Sequence, residues 1–285
     1  LLSAFFLALF FYFIFFTTFT SMVGRCLILL LISYESFAQT YVGPSQQAMG
    51  QAGAALEGIY SLTSNPAGLA GLEDAAVHIG YQHHFFSTDI TTQAALLGVP
   101  TWLGTWGVAA RRYGMDGAYQ DTQAGFAYAK RFGTQFSLGM SANYHQLYIP
   151  GYLSAFAFSA DVGVQYHFDH GSIIGLQYSN VGNAGYGAEV SAAIPSFIRI
   201  GFSYPLAMVT LAADLACRFK NGLGGHLGIA YWIADVLCLR GGLSVNPMQQ
   251  HAGFGVRWQQ FVFDAAATFH PRLGVSPQIA LGYVF

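Results

Sequence analysis

Residues 154–168 read SAFAFSADVGVQYHF. Phe156, Phe158, Ala160, Val162, Val164, Tyr166 and Phe168 hold one set of alternate positions, and Ala155, Ala157, Ser159, Asp161, Gly163, Gln165 and His167 hold the other. Successive side chains of a strand point to opposite faces, so this is a strand with one large apolar face and one small or polar face. A period of 3.6 would mix the two sets. The split recurs at 135–146, where Phe136, Leu138, Met140, Ala142 and Tyr144 oppose Gln135, Ser137, Gly139, Ser141, Asn143 and His145. It recurs at 251–270, where Phe254, Val256 and Trp258 oppose Gly253, Gly255 and Arg257, and Phe261, Phe263 and Phe269 oppose Val262, Asp264, Thr268 and His270.

Composition says what the large face meets. Of 285 residues 54% are hydrophobic, 16% aromatic and only 8% charged, and the mean hydropathy is +0.42. A water-soluble domain carries about 25% charged residues. Past residue 40 no run reaches the roughly 20 apolar residues of a spanning helix, and strands cross lipid only as a closed barrel. The reading is therefore all-β: a transmembrane antiparallel up-and-down barrel with lipid outside and a polar, glycine-lined lumen. A very apolar secreted β-protein is the alternative.

Strands are expected at 75–86, 89–99, 103–112, 122–131, 134–147, 154–168, 172–180, 195–204, 207–219, 224–233, 236–245, 250–258, 261–270 and 276–285, fourteen in all. Twelve stays open, because 90–99 alternates poorly. The joints are short and carry turn residues, as at Phe132-Gly133, Asp169-His170-Gly171, Lys220-Asn221-Gly222 and Asn246-Pro247, which favours hairpins. Residues 181–194 form the one long loop.

Residues 1–38 read as a leader. Within it 22–38 has the tripartite signal-peptide pattern: Met22-Val23-Gly24-Arg25, the apolar stretch from Cys26 to Ile32, and Ser36-Phe37-Ala38 before a mature start at Gln39. Residues 1–21 lack a basic start and read as upstream sequence from a mis-called start; a membrane anchor is the competing view.

The basic and acidic residues, 11 and 13, are scattered, leaving no nucleic-acid footprint. Cys217 and Cys238 are expected on opposite faces, which argues against a disulfide. His83 and His84 are adjacent on a strand and point apart, and His78 and His84 stand about 20 Å apart along it, so no metal site is expected. No G-x-S-x-G elbow, phosphate loop or H-E-x-x-H helix occurs. Neither catalysis nor a cofactor is expected. The ionisable residues Asp161, Arg199, Asp214, Arg218, Arg240, Arg257 and Asp264 should face the lumen and pair there. A two-residue turn at Gln259-Gln260 sets Trp258 opposite Phe261 and Arg257 opposite Val262, with Asp264 diagonal to Arg257, so an Arg257–Asp264 pair is expected. Phe156, Phe158, Val162, Leu211 and Leu215 should meet lipid, and Ser159 and Gln165 should tolerate polar change.

Between leader and first strand, residues 48–55 read A-M-G-Q-A-G-A-A and residues 65–70 read N-P-A-G-L-A. This pair, with Met49, Gly50, Gly53, Asn65, Pro66, Ala67 and Gly68 as its marked positions, resembles the start of FadL-like outer-membrane barrels, in particular their PorV/PorQ branch. The likeness covers about 30 residues. It implies fourteen strands, a place in the bacterial outer membrane, and an N-terminal segment folded into the lumen, so 39–72 is expected to be a plug and 73–285 the barrel. Small residues suit a plug, since they let backbone approach a wall closely; a plain linker would look similar. The chain closes on alternating 279–285, and Tyr283 and Phe285 resemble the terminal strand by which barrel-assembly machinery recognises outer-membrane proteins. The family includes channels for hydrophobic molecules and accessory barrels of type IX secretion. With about 247 residues after the expected cleavage site, there is little room for ligand-capturing loops. That favours a non-catalytic accessory barrel meeting outer-membrane lipid and secretion translocon subunits, with a channel for a small hydrophobic ligand as the alternative.

Overall fold

The computed structural model describes residues 41–87, 89–187, 190, 192, 194–219 and 222–285. The expectations for residues 1–38 and Gln39 lie outside the described residues. Fourteen strands form a closed barrel: β1 (Ala76–His83), β2 (Ile90–Thr101), β3 (Gly104–Met115), β4 (Tyr119–Phe132), β5 (Phe136–Ile149), β6 (Leu153–His167), β7 (Ile173–Ser179), β8 (Phe197–Leu206), β9 (Val209–Arg218), β10 (Gly222–Ile233), β11 (Leu237–Val245), β12 (Gln249–Trp258), β13 (Phe261–His270) and β14 (Gly274–Val284). Each pairs antiparallel with its sequence neighbours, and β1 closes on β14 from Ala76↔Val284 to Gln82↔Gln278. The count is fourteen, not twelve. The stretch that alternates poorly is β2, paired along its length with β1 and β3. Its pattern blurs because outward Thr91 and Gln93 lie toward one end, while inward Leu96 is buried against Ile59, Tyr60 and Ala76.

Exposure follows the pleat. On β6, Phe156 and Phe158 are each 66% exposed, whereas Ala155 and Ala157, which alternate with them, are 8% and 6% exposed. Such a belt of large apolar side chains runs right round the wall and includes Leu211, Leu215, Leu227 and Ile279. In water a patch of that extent would aggregate; in lipid it is the required surface. Cys217 is exposed, Cys238 is buried, and neither forms a disulfide.

We call the end where β1 begins and β14 finishes the near end. Its turns run from two residues (207–208, 259–260) to five (168–172). Gly133 and Gly171 adopt φ of +64° and +87° in them, a region that glycine enters without steric cost. At the far end most hairpin loops are three residues long; the long one spans 180–196. At that loop the wall changes height. Pairing between β6 and β7 runs only over Val162–His167 of β6, so residues 153–161 have a strand partner on the β5 side alone among the described residues.

The chain that precedes β1 lies inside the barrel against its inner wall. A short helix α1 (Pro44–Ala48) lies against β11 to β14, the 3-10 turn η1 (Ile59–Thr63) against β2 and β3, and the 3-10 turn η2 (Pro66–Gly71) against β3 to β6. Pro66 suits the first turn of η2, where its missing N–H costs nothing, and the Asn65 side chain caps that turn by accepting from the Ala67 N–H at 3.1 Å.

Candidate functional site: the plugged lumen

The inner face of the wall is made to touch backbone. At the inward glycines Gly139, Gly163, Gly175, Gly228 and Gly242 plug atoms occupy the place a Cβ would take: Pro66 and Ala67 at Gly139, the Asn65 amide at Gly163, the Ala54 carbonyl at Gly175, and Met49 with Gly50 at Gly228 and Gly242. The plug answers with small residues. Gly50, at φ +70°, is wedged against the main chain of Leu227 and Leu243. Met49, Ala52 and Leu56 pack on Ala212, Ala230, Trp232 and Cys238, and Leu69 fits between Ala127 and Ala129.

Side chains from the wall then satisfy the plug's main chain. Gln278 donates to the Val42 carbonyl at 2.9 Å, His226 Nδ1 meets the Gly50 carbonyl at 2.8 Å, and Ser203 donates to Ala55 at 2.9 Å. Gln165 reaches the carbonyls of Ala54 and Leu56, each at 3.0 Å, and Gln177 reaches that of Ser64 at 2.8 Å. Asp214 Oδ2 accepts the N–H groups of Gly53 and Ala54 at 2.8 and 3.0 Å. A buried peptide group without a partner costs on the order of 1–3 kcal/mol, so these bonds decide whether the plug can stay in the lumen. The expectation that Gln165 tolerates polar change is therefore corrected: its side chain is fully buried and holds two plug carbonyls. Ser159 is half-buried and bonded to His145 at 2.8 Å.

The expected lumen charges divide into two kinds. Arg199 and Asp214 stand 4.0 Å apart, and Arg240 Nη1 contacts Asp264 Oδ1 at 2.6 Å. The other Asp264 oxygen accepts from the Tyr60 hydroxyl at 3.0 Å, and that hydroxyl lies 3.0 Å from His78 Nδ1. Burial first, and then the Asp264 charge, push the Tyr60 phenol well above its ordinary range, so it stays a donor. With its hydrogen given to Asp264, its oxygen is left to accept from His78, which places the ring hydrogen on Nδ1.

The expected Arg257–Asp264 pair does not form. Register is as anticipated, Trp258↔Phe261 and Arg257↔Val262. Arg257, however, lies at the exposed near-end rim and stacks its guanidinium 4.3 Å over Trp232. Arg240, two strands from Asp264, reaches it across inward Gly255, which has no side chain to bar the way. Asp161 is held by neutral donors, Ser141, Asn143, Ser179 and the Asn180 N–H, at 2.7–3.1 Å. It thereby ties β5, β6 and the end of β7 together at the foot of the step in the wall. Arg218 donates to the Asn246 carbonyl at 3.3 Å. Tyr283 packs on Phe261 and Phe285, and the Phe285 N–H bonds Ala75.

Several plug contacts fall on residues the sequence reading passed over. Glu57 pairs with Arg131 at the near end, with His167 Nε2 at 3.9 Å. The inward amides of Gln165, Gln177 and Gln278 carry the one available signal: large donors on an otherwise glycine- and alanine-rich face. His78 and His84 both face inward, bonded to Tyr60 and to Thr92.

No family model and no curated protein matches the chain. Solved structures do. The Pseudomonas putida toluene transporter TodX superimposes with a TM-score of 0.68 at 12% identity, over 88% of this chain and 98% of that one. The CymD monoaromatic hydrocarbon channel gives 0.68 at 14%, over 88% and 99%, and a Pseudomonas aeruginosa FadL homologue gives 0.58 at 11%, over 88% and 99%. At such identity the likeness is one of fold. This chain is a closed fourteen-strand barrel of the bacterial outer-membrane type, with the FadL-like fold.

Proposed function

We propose that this barrel is a passive, non-catalytic channel for small hydrophobic molecules in the bacterial outer membrane, with its near end toward the periplasm. The observation that carries this reading is the step in the wall. Beyond Asp161 and the bonded pair Ser159 and His145, the inner face of β6 and its neighbour β5 turns apolar at Ala155, Ala157 and Leu147. The β6 edge there has no β7 strand beside it among the described residues. An apolar molecule in the far half of the lumen thus meets a stretch of wall whose β6 edge, beyond the Val181 N–H bond to the Ala160 carbonyl at 2.8 Å, has no backbone partner among the described residues, and beyond it the Phe156 and Phe158 side of the lipid belt. Short near-end turns suit the periplasmic side of outer-membrane barrels. The fold shared with hydrocarbon channels supports the same reading.

The test is uptake by intact cells, whose polar outer leaflet, more than the hydrocarbon layer, holds back apolar solutes. Expression in a bacterium without such channels should speed entry of a radiolabelled monoaromatic hydrocarbon and leave entry of a small sugar unchanged. Equal, unchanged rates for both would overturn the reading. The three-residue hairpins at 116–118, 150–152 and 246–248 favour the second reading, an accessory barrel of the PorV/PorQ type docking secretion subunits. A pull-down from native outer membrane that recovers translocon subunits, with no hydrocarbon uptake, would move the assignment there. Assembly through the terminal strand carrying Tyr283 and Phe285 belongs to either reading.

A further inference from the structure

The plug is held as a ligand is held. Residues 50–56, Gly-Gln-Ala-Gly-Ala-Ala-Leu, make their hydrogen bonds to the wall through main-chain atoms, with Ala52 and Leu56 adding apolar contact: His226 bonds the Gly50 carbonyl, Asp214 takes the N–H groups of Gly53 and Ala54, Gln165 takes the carbonyls of Ala54 and Leu56, and Ser203 takes that of Ala55. Arg199 adds a longer bond of 3.4 Å to the Gln51 carbonyl. Gly175 admits the backbone of Ala54 and Ala55, Gly242 that of Gly50, and Gly228 that of Met49 just before it. Bonds to peptide groups and a floor of glycines select for small residues and for peptide geometry, not for any particular side chain. The plug joins β1 through exposed Glu73 and Asp74. A tether of that kind raises the local concentration of its ligand without being part of the binding contact.

We infer that this part of the lumen is a receptor for polypeptide backbone, occupied in cis by residues 50–56 and able to take a glycine- and alanine-rich segment of another chain when the plug is out. The inference goes beyond the channel reading and stands independently of it, since hydrocarbon uptake is measured on the uncut protein.

The experiment replaces Glu73–Asp74 with a protease site in the full chain, folds it in detergent and cuts it. The severed plug is expected to stay bound through gel filtration and to leave in urea that keeps the barrel folded, as judged by its heat-modifiable mobility. A fluorescent synthetic peptide of residues 41–72 then re-enters with one-to-one stoichiometry, either into the emptied barrel or by exchange in excess. Replacing the Gly53 and Ala54 amides by esters removes both donors to Asp214 and should weaken binding at least tenfold, the scale of a lost bond to a charged group. A peptide carrying Ala54→Leu and Ala55→Leu should fail to enter. Gln165→Leu in the barrel should weaken the unmodified peptide about tenfold; should that variant not fold, the peptide-side comparison, which leaves the barrel unaltered, decides alone. Failure of the labelled peptide to enter by either route, or equal binding of the ester or bulky peptides, overturns the inference.

Discussion

Phe156, Phe158 and Val162 on the outer face of β6 are 66%, 66% and 45% exposed, whereas Gly163 and Gln165 on its inner face are pressed against the plug. The two sets answer to different constraints. Outside, the neighbour is lipid, which accepts any large apolar side chain, so the pattern is binary and repeats on every strand. Inside, the neighbour is one folded segment of the same chain, and each position is set by one particular atom of it. Gly163 is small because the Asn65 amide lies over it, and Gln165 is long because the Ala54 and Leu56 carbonyls lie within its reach. Exchanging residues of the same class should therefore be harmless outside and damaging inside.

The sharpest way to break this contrast is at the buried pair. Asp264→Ala leaves Arg240 without its contact carboxylate and Tyr60 without its acceptor, and should cost about 3–5 kcal/mol. Asp264→Ala combined with Arg240→Met should cost less, because no unpaired charge remains. Urea midpoints of the heat-modifiable band measure both, and strictly additive losses would show that the two side chains do not interact.

On the outer face only a change of class should register. Ile200→Arg or Leu215→Arg, side by side on β8 and β9, should cost about 2–4 kcal/mol near the bilayer midplane, while Ile200→Leu should be silent in the same unfolding experiment. A large loss from the leucine exchange would mean that this belt packs against protein.

Inside, an exchange of similar volume should register. Gln165→Leu keeps the size and loses the donor, and should cost on the order of 1–3 kcal/mol, seen as faster proteolysis at Glu73–Asp74. Unchanged proteolysis would mean that the Gln165 bonds do not hold the plug. The smallest effect belongs to Arg257→Ala. At an exposed rim its stacking on Trp232 is worth about 0.5–1 kcal/mol. A loss near that of Asp264→Ala would restore the Arg257–Asp264 pairing that register alone suggests.

The antiparallel strand order and the identity of the lipid-facing residues were legible in the sequence, and strand number down to the choice between fourteen and twelve, because each follows from local alternation and turn length. So was the β12–β13 register that set Arg257 opposite Val262. Which carboxylate took which guanidinium was not legible. Arg240 and Asp264 are 24 positions apart, and their contact depends on the opening left by Gly255, which no strand pattern records. Likewise the small residues of 48–55 suggested close approach to a wall, but that Gly175, Gly228 and Gly242 receive them, and that Asp214, Gln165 and Ser203 bond their peptide groups, was decided by how the segment lies across β6 to β12 at once. Alternation is a property of neighbours in the chain. The fit of a plug is a property of atoms brought together only after the barrel has closed.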